Sequence, residues 1–464
     1  MTATDRALTA HLMRRAGFGV TIDELDILAA RPYEDVVEDL LHPERFEEID
    51  EAILSRYFGT LHENPNLAAA VWLYRMANTR RPLEEKVALF WHHVFATGNQ
   101  KGEHPPSLIT QIEMFRRLGM SDMRTLLIEL SRDPAMIFWL DNNENHKGQP
   151  NENYGRELLE LFSMGVGNYT ETDIKMAARA FTGWTFAQPV PLYPQGRYPS
   201  EFVYREDDHD DSEKTFLGES GRFNGEDIVE IIARQPAAAR FISRHLYNFF
   251  VADEPQVPAW DDTPPQDPVA IDTLINAYES SSGDIRSVLR VLFNSAFFKE
   301  ARYRRVKCPA ELVVGIVKLA GIYRFPDLGI ESLATATTVM GQTLLDPPTV
   351  EGWHTGREWI NGGTLTERVN FSADLVGDVS KPGISALVGR IASRGQLSPA
   401  EVVDLCRDEL GPVELNDDTR AALLRHVEAD GELAFGTDQE RETSASRIAK
   451  VLQLIVATKE YQFA

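Results

Sequence analysis

The residues of this chain best suited to acid–base chemistry are carboxylates gathered between Asp141 and Glu160. Glu152, Arg156 and Glu160 fall at i, i+4 and i+8 of a predicted helix and share one face. Asn153, Glu157 and Glu160 line an adjacent face, while Leu158, Leu159, Leu161 and Phe162 supply the buried stripe. Carboxyls held close together raise one another's pKa, and a neighbouring arginine lowers it. Such a contrast lets one carboxyl act as an acid while another stays ionised as base or nucleophile. The ordinary alternative is an exposed helix whose Glu and Arg make weak i,i+4 pairs. The preceding loop, Asp141 to Asn153, tips the balance, because so many amides and carboxylates are costly to order without a role. Glu157 and Glu160 are therefore the leading acid/base candidates, with Asp141 third. Arg156 would tune one of them, and Asn142, Asn151 and Asn153 would bind hydroxyls. Trp184, Trp353 and Trp359 offer flat platforms and Arg357 a charged anchor, a combination that suits a polar or glycan ligand.

Histidines give a second kind of chemistry. His92 and His93 close the predicted helix Leu83–Phe95. A histidine there is ordinarily a dipole partner or a core group, and otherwise a general base or metal ligand. His209 lies in the run Asp207-Asp208-His209-Asp210-Asp211, which reads as an oriented imidazole, a cation site or a solvated acidic turn. His92, His209 and Asp210, with Asp141 and Glu157, are suitable ligand types for Zn²⁺, Mn²⁺ or Fe²⁺. No HExxH or other ligand spacing is present, so a divalent metal is an option that the sequence does not require.

The elements that must position these groups are helical. Apolar residues recur with the 3.6-residue period along most of the chain, as at Val87, Phe90, Trp91 and Val94. Arg132-Asp133-Pro134 starts a helix, and Thr170-Glu171-Thr172-Asp173 forms a capping box opening another that runs to Thr182-Gly183-Trp184. Two stretches break the pattern. Residues 185–224 are rich in Pro, Gly and aromatics, and within them Glu201–Arg205 and Lys214–Gly218 predict one hairpin. Residues 341–371 are also aromatic-rich, and Pro347-Pro348, Gly352 and Gly362-Gly363 argue against long regular structure. Residues 252–267 read as an exposed acidic loop. The expectation is an all-α, multi-helix single globular domain with at most a small β-hairpin and two irregular aromatic-rich insertions. Its core spans 1–380, and a helical C-terminal segment, 381–464, packs on that core.

Composition sets limits. Over 464 residues, 47 basic against 71 acidic side chains give a net charge of −24, which argues against nucleic acid and anionic membranes as partners. Only two cysteines occur, Cys308 and Cys406, so neither a disulfide framework nor a cysteine zinc site is expected. No window approaches the roughly 18 apolar residues of a membrane span. MTATDRALTAHLMRRAGFGV lacks the basic and apolar parts of a secretory signal, which predicts a cytoplasmic location.

Five segments carry a family likeness: HLMRRAGFG at 11–19, EEKVALFWHHVFATG at 84–98, PNENYGRELLELFSMGVGNYTETDIKMAARAFTGW at 150–184, HDDSEKTFLG at 209–218 and LLDPPTVEGWHTGREWIN at 344–361. In this order they resemble the bacterial DUF1800 proteins. The resemblance implies no assigned activity. Many such proteins look exported and sit beside sulfatase-like DUF1501 proteins, which implies one as a partner. Two departures stand out. This chain reads His92-His93-Val94-Phe95 where the family often has His-x-His-Phe, and Gly155 stands where Ala is usual, expected to loosen the carboxylate helix. Three functions follow as expectations. The first is a hydrolase of a polar, glycan-like substrate using the clustered carboxylates. The others are a metal-dependent enzyme, and a non-catalytic binding or maturation partner whose polar stretch only braces loops.

Overall fold

The computed structural model describes residues 3–59, 64–102, 105–187, 200–255, 260, 262–429 and 431–464. Among them are 24 α-helices and four short strands, so the fold is all-α in class. Helix starts follow the local code. Asp133 caps Pro134–Trp139 by accepting from the Met136 N–H, and Thr21/Glu24 and Thr170/Asp173 form reciprocal capping boxes. The apolar faces of these helices meet in one large contiguous core running from Leu12 to Tyr461. The C-terminal helices are tied to that core by buried bonds. Arg368 Nε donates to Gln462 Oε1 (2.9 Å) and Lys307 Nζ to the Tyr461 carbonyl (2.7 Å). Among the described residues no helix is long and apolar enough to cross a membrane.

The carboxylate helix is Asn153–Glu160. It packs on Glu171–Ala180, and Gly155 is what permits the approach. A Cβ there would stand 3.1 Å from the Ala178 nitrogen and 3.2 Å from the Ile174 carbonyl oxygen. The glycine expected to loosen this helix instead lets its neighbour close on it. The Glu171 helix ends at Ala180, earlier than predicted, and Trp184 already belongs to a strand.

The predicted hairpin is replaced by two two-stranded antiparallel sheets. β1, Trp184–Ala187, pairs with β2, Glu201–Tyr204, and β3, Lys214–Phe216, pairs with β4, Glu219–Gly221. The cause of the second pairing is local. Leu217 and Gly218 both have positive φ, 46° and 86°, which suits a two-residue turn of the kind that joins adjacent strands. Residues 188–199 of the first aromatic-rich stretch lie outside the described residues. The second stretch is irregular only to Asn361, because Gly362–Gly377 is a helix. Asn361 caps it, accepting from the Gly363 and Thr364 N–H groups, and a glycine at the very start of a helix is tolerated.

The 252–267 segment, described except for 256–259 and 261, is a loop exposed at Asp262, Pro264 and Gln266 but anchored by a buried charge at its start. Glu254 is buried against Arg244 (2.9 Å), whose guanidinium also lies over the Trp260 ring at 4.6 Å. A second buried charge cluster lies deeper. Glu311 accepts from Arg15 (3.0 Å), Arg305 (3.1 Å), the Cys308 N–H (2.8 Å) and Lys86. Burial alone would raise the Glu311 pKa, but Lys86, Arg15 and Arg305 outweigh it and hold the carboxyl well below its ordinary range.

Candidate functional site

Glu157 is half-buried and makes no side-chain hydrogen bond among the described residues. Burial, then the neighbouring Glu160 and Glu351, push its pKa up to about 7, against the opposing pull of Arg156. Arg156 is a weak counterweight because Glu171 holds it through two bonds (3.0 and 2.9 Å), with Glu152 at 3.4 Å. Glu160, one turn on, accepts from the Tyr169 hydroxyl at 2.9 Å. Burial and this bond to Glu160 both raise the Tyr169 pKa, so the phenol keeps its proton and remains a donor.

Glu160 and Glu351 face a pocket of about 190 Å³. Its other wall comes from Pro236–Phe250, whose Arg240, Phe241 and Arg244 lie one turn apart, and from Trp260. Arg240 is exposed and makes no ion pair among the described residues, whereas Arg244 is committed to Glu254. The result is a small cleft with an indole wall, two carboxylates on its lining, a third near them whose pKa is raised, and a free guanidinium at its edge. Such a cleft suits proton transfer to and from a polar ligand.

The remaining predicted residues divide into three groups. Asn142, Asn145 and Asn151 of the Asp141–Asn153 loop are engaged within the loop and with the chain around it, while Asn143 Oδ1 is buried without a partner. Asn142 Nδ2 donates to the Trp184 carbonyl (2.9 Å), and Asn145 Nδ2 donates to Asn142 Oδ1 (3.0 Å) and the Ala178 carbonyl (2.8 Å). Asn151 Oδ1 accepts from the Asn153 N–H at 3.0 Å, and its own backbone N–H donates to Asn145 Oδ1 at 2.9 Å. Asp141 has a left-handed backbone (φ 58°) and pairs with Lys101, and Asn153 Nδ2 reaches it at 3.3 Å. This network ties the loop to the end of the Glu171 helix and to β1.

The histidines form the second group. His92 is fully buried, its Nε2 accepting from the Leu345 N–H at 3.0 Å, with burial and then His93 pushing its pKa down to about 3. His209 donates from Nδ1 to the Thr182 carbonyl at 3.0 Å. Asp210 is paired with Arg179 at 2.7 Å; burial opposes but Arg179 and Ser212 win, holding its pKa below the usual range. His92, His209 and Asp210 are thus engaged separately. Among the described residues no group of three or more His, Cys, Asp or Glu is placed to hold a metal ion.

The third group is the aromatic platforms, and none of them faces the carboxylate pocket. Trp184 is buried with its Nε1 on Asn224 Oδ1 (2.8 Å). Trp353 is buried against His92 and His93, and Trp359 is buried with an unpartnered Nε1. Arg357 is exposed and lies outside the lining. Sequence reasoning missed the actual wall, Trp260, Arg240, Arg244 and Glu351, and the Tyr169 hydroxyl that bonds Glu160. The only signal was Arg240 and Arg244 at i,i+4 flanking Phe241, on a helix some eighty positions beyond the carboxylates.

An all-α protein with a carboxyl of raised pKa beside a small cleft is the class that fold and site define. By its sequence the chain belongs to the DUF1800 family, described as a protein of unknown function, whose model matches residues 11–463. The match includes the C-terminal helices beyond the motifs that first carried the likeness. No curated protein and no solved structure matches the chain.

Proposed function

We propose that this protein is a hydrolase of a polar, glycan-like substrate, with Glu157 as general acid and Glu160 as base. The observation that carries the reading is the unpaired Glu157 carboxyl, raised to about 7 by burial and by its neighbours Glu160 and Glu351, which line the Trp260 pocket. In the reaction Glu157 gives its proton to the leaving oxygen as the C–O bond breaks. Glu160 takes a proton from the attacking water, whose hydroxyl bonds to the carbon. The two carboxyls end with exchanged protonation and reset through solvent. Tyr169, bonded to Glu160, orients the base, and Trp260 supplies a flat surface for a sugar ring.

A second reading, a non-catalytic binding or maturation partner of a sulfatase-like protein, draws support from the self-satisfied Asp141–Asn153 network. The metal-dependent alternative draws none from the separate placement of His92, His209 and Asp210. The test is hydrolysis of a 4-nitrophenyl glycoside panel from about pH 4 to about pH 9 by the parent chain and by Glu157→Gln. Turnover that declines above about pH 7 and vanishes in Glu157→Gln supports the hydrolase. A fully active Glu157→Gln removes Glu157 from the role. Saturable quenching of tryptophan fluorescence without turnover, unchanged by the substitution, favours the binding reading.

A further inference from the structure

A larger pocket, about 680 Å³, opens elsewhere on the molecule and shares no lining residue with the carboxylate cleft. Its volume lies within the range of about 300–1,000 Å³ that small-molecule sites occupy. It forms where the helices Ile22–Ala29 and Tyr33–Leu41 meet the C-terminal ends of Pro65–Asn78 and Pro309–Ala320. Leu28, Leu40, Phe46 and Val317 are among its apolar lining, and Ile27 is 68 % exposed there.

The charges in this pocket run against those of the whole chain. It contains Arg31, Arg80, Arg81, Lys318 and Arg324 but only Glu24 and Asp39 as carboxylates. Arg31 is matched by Asp39 (2.6 Å) and Arg81 by Glu48 (2.6 Å). Arg80 has only a loose partner, Glu47 at 3.6 Å, with both side chains largely in water. Lys318 and Arg324 have no side-chain hydrogen bond or ion pair among the described residues. Lys318 is also half-buried, and its pKa is lowered by burial and then by Arg324, with Glu24 opposing. These two cations repel one another with only Glu24 close enough to oppose them, so this side of the pocket keeps an excess of positive charge, on a protein of net charge −24, that suits an anion. The same hollow exposes hydrocarbon that a bare inorganic anion would leave in water. One molecule answers both demands only if it joins a single anionic end to an apolar tail.

We propose that this pocket binds a fatty-acid-class ligand, a carboxylate on an unbranched hydrocarbon tail. Lys318 and Arg324 take the head, and Leu28, Leu40, Phe46 and Val317 take the tail. The test is isothermal titration of the full chain with decanoate, decanol, acetate and inorganic phosphate, alongside Lys318→Met and Ala77→Trp. Ala77 lines the pocket and is half-buried, so an indole there fills the space the tail needs. Decanoate should bind at one equivalent, with acetate and phosphate giving no saturable heat. Lys318→Met should weaken decanoate at least about tenfold and leave decanol unchanged, the size expected for losing one partly buried charge contact. Ala77→Trp should abolish both. Thermal denaturation checks that each variant folds, and Lys318→Met decides alone if Ala77→Trp does not. Absence of saturable decanoate binding, binding that Lys318→Met leaves unchanged, or phosphate binding as tightly as decanoate would each overturn the proposal. So would capture of an acidic amphipathic peptide by a chain that ignores decanoate, which would make this a protein-docking groove.

Discussion

Replacing Glu311 by Gln tests whether the buried charge cluster holds the fold together. The carboxylate faces Arg15, Arg305 and Lys86, and it also accepts the Cys308 N–H at the start of the Pro309–Ala320 helix. All three cations are essentially inaccessible to water, with side-chain exposures of 0 %, 2 % and 0 %. Removing one partner of a buried pair costs about 3–5 kcal/mol, because the other charge is left without compensation. Here Arg15 and Lys86 lose their ion-pair partner at once, while Arg305 keeps Asp253 at 3.9 Å and Gln keeps an oxygen that can still accept. A loss of about 4 kcal/mol is therefore expected for Gln and more for Ala, out of a total stability of order 5–15 kcal/mol. The assay is equilibrium urea denaturation at neutral pH. The pH dependence has a definite sign. A carboxyl whose folded pKa is depressed contributes stability that is present above its unfolded pKa, about 4.3, and lost as pH falls through the lower folded value. The gap between parent and Glu311→Gln should thus hold down to about pH 4 and close only in stronger acid. A variant within about 1 kcal/mol of the parent at neutral pH would refute the reasoning.

Other substitutions test other parts of the account. Gly218→Ala, at φ +86° with nothing within 4 Å to obstruct a Cβ, should cost about 1 kcal/mol through backbone strain alone, read by thermal denaturation. His92→Phe should lose about 1–3 kcal/mol in the same assay, because the buried Leu345 N–H loses its acceptor, with metal content by elemental analysis unchanged. Glu157→Gln should instead stabilise the protein at alkaline pH. A raised folded pKa gives stability that is full below the unfolded value, near 4.3, and lost as pH rises through about 7. After discounting for solvent at this partly exposed carboxyl, the gain is about 1–2 kcal/mol at pH 8, vanishing near pH 4. Urea midpoints at the two pH values check it.

The helices were legible in the sequence because their signals are local. Asp133 before Pro134 and Thr170 three positions before Asp173 both cap as their residue types demand. Strand pairing was not, because Leu217-Gly218 lacks the usual Asn-Gly signature, and nothing local reports that Trp184–Ala187 meets Glu201–Tyr204. The carboxylate face was readable from spacing, and so was the influence of Glu160 on Glu157. Where the rest of the pocket comes from was not. Trp260, Glu351 and Arg240 reach it through tertiary packing, which leaves no periodic trace. The asparagine loop shows the converse error. Its composition resembles a ligand site, but Asn142, Asn145 and Asn151 are bonded within the loop, a distinction that only the partner atoms reveal.

The most direct test is the pKa of Glu157 itself, read from the side-chain carboxyl ¹³C shift in glutamate-labelled protein and assigned by its disappearance in Glu157→Gln. A midpoint at about 7 is predicted. A midpoint at about 4.3, that of a carboxyl in water, would leave the cleft without a proton donor at neutral pH and contradict the assignment of Glu157 as the acid.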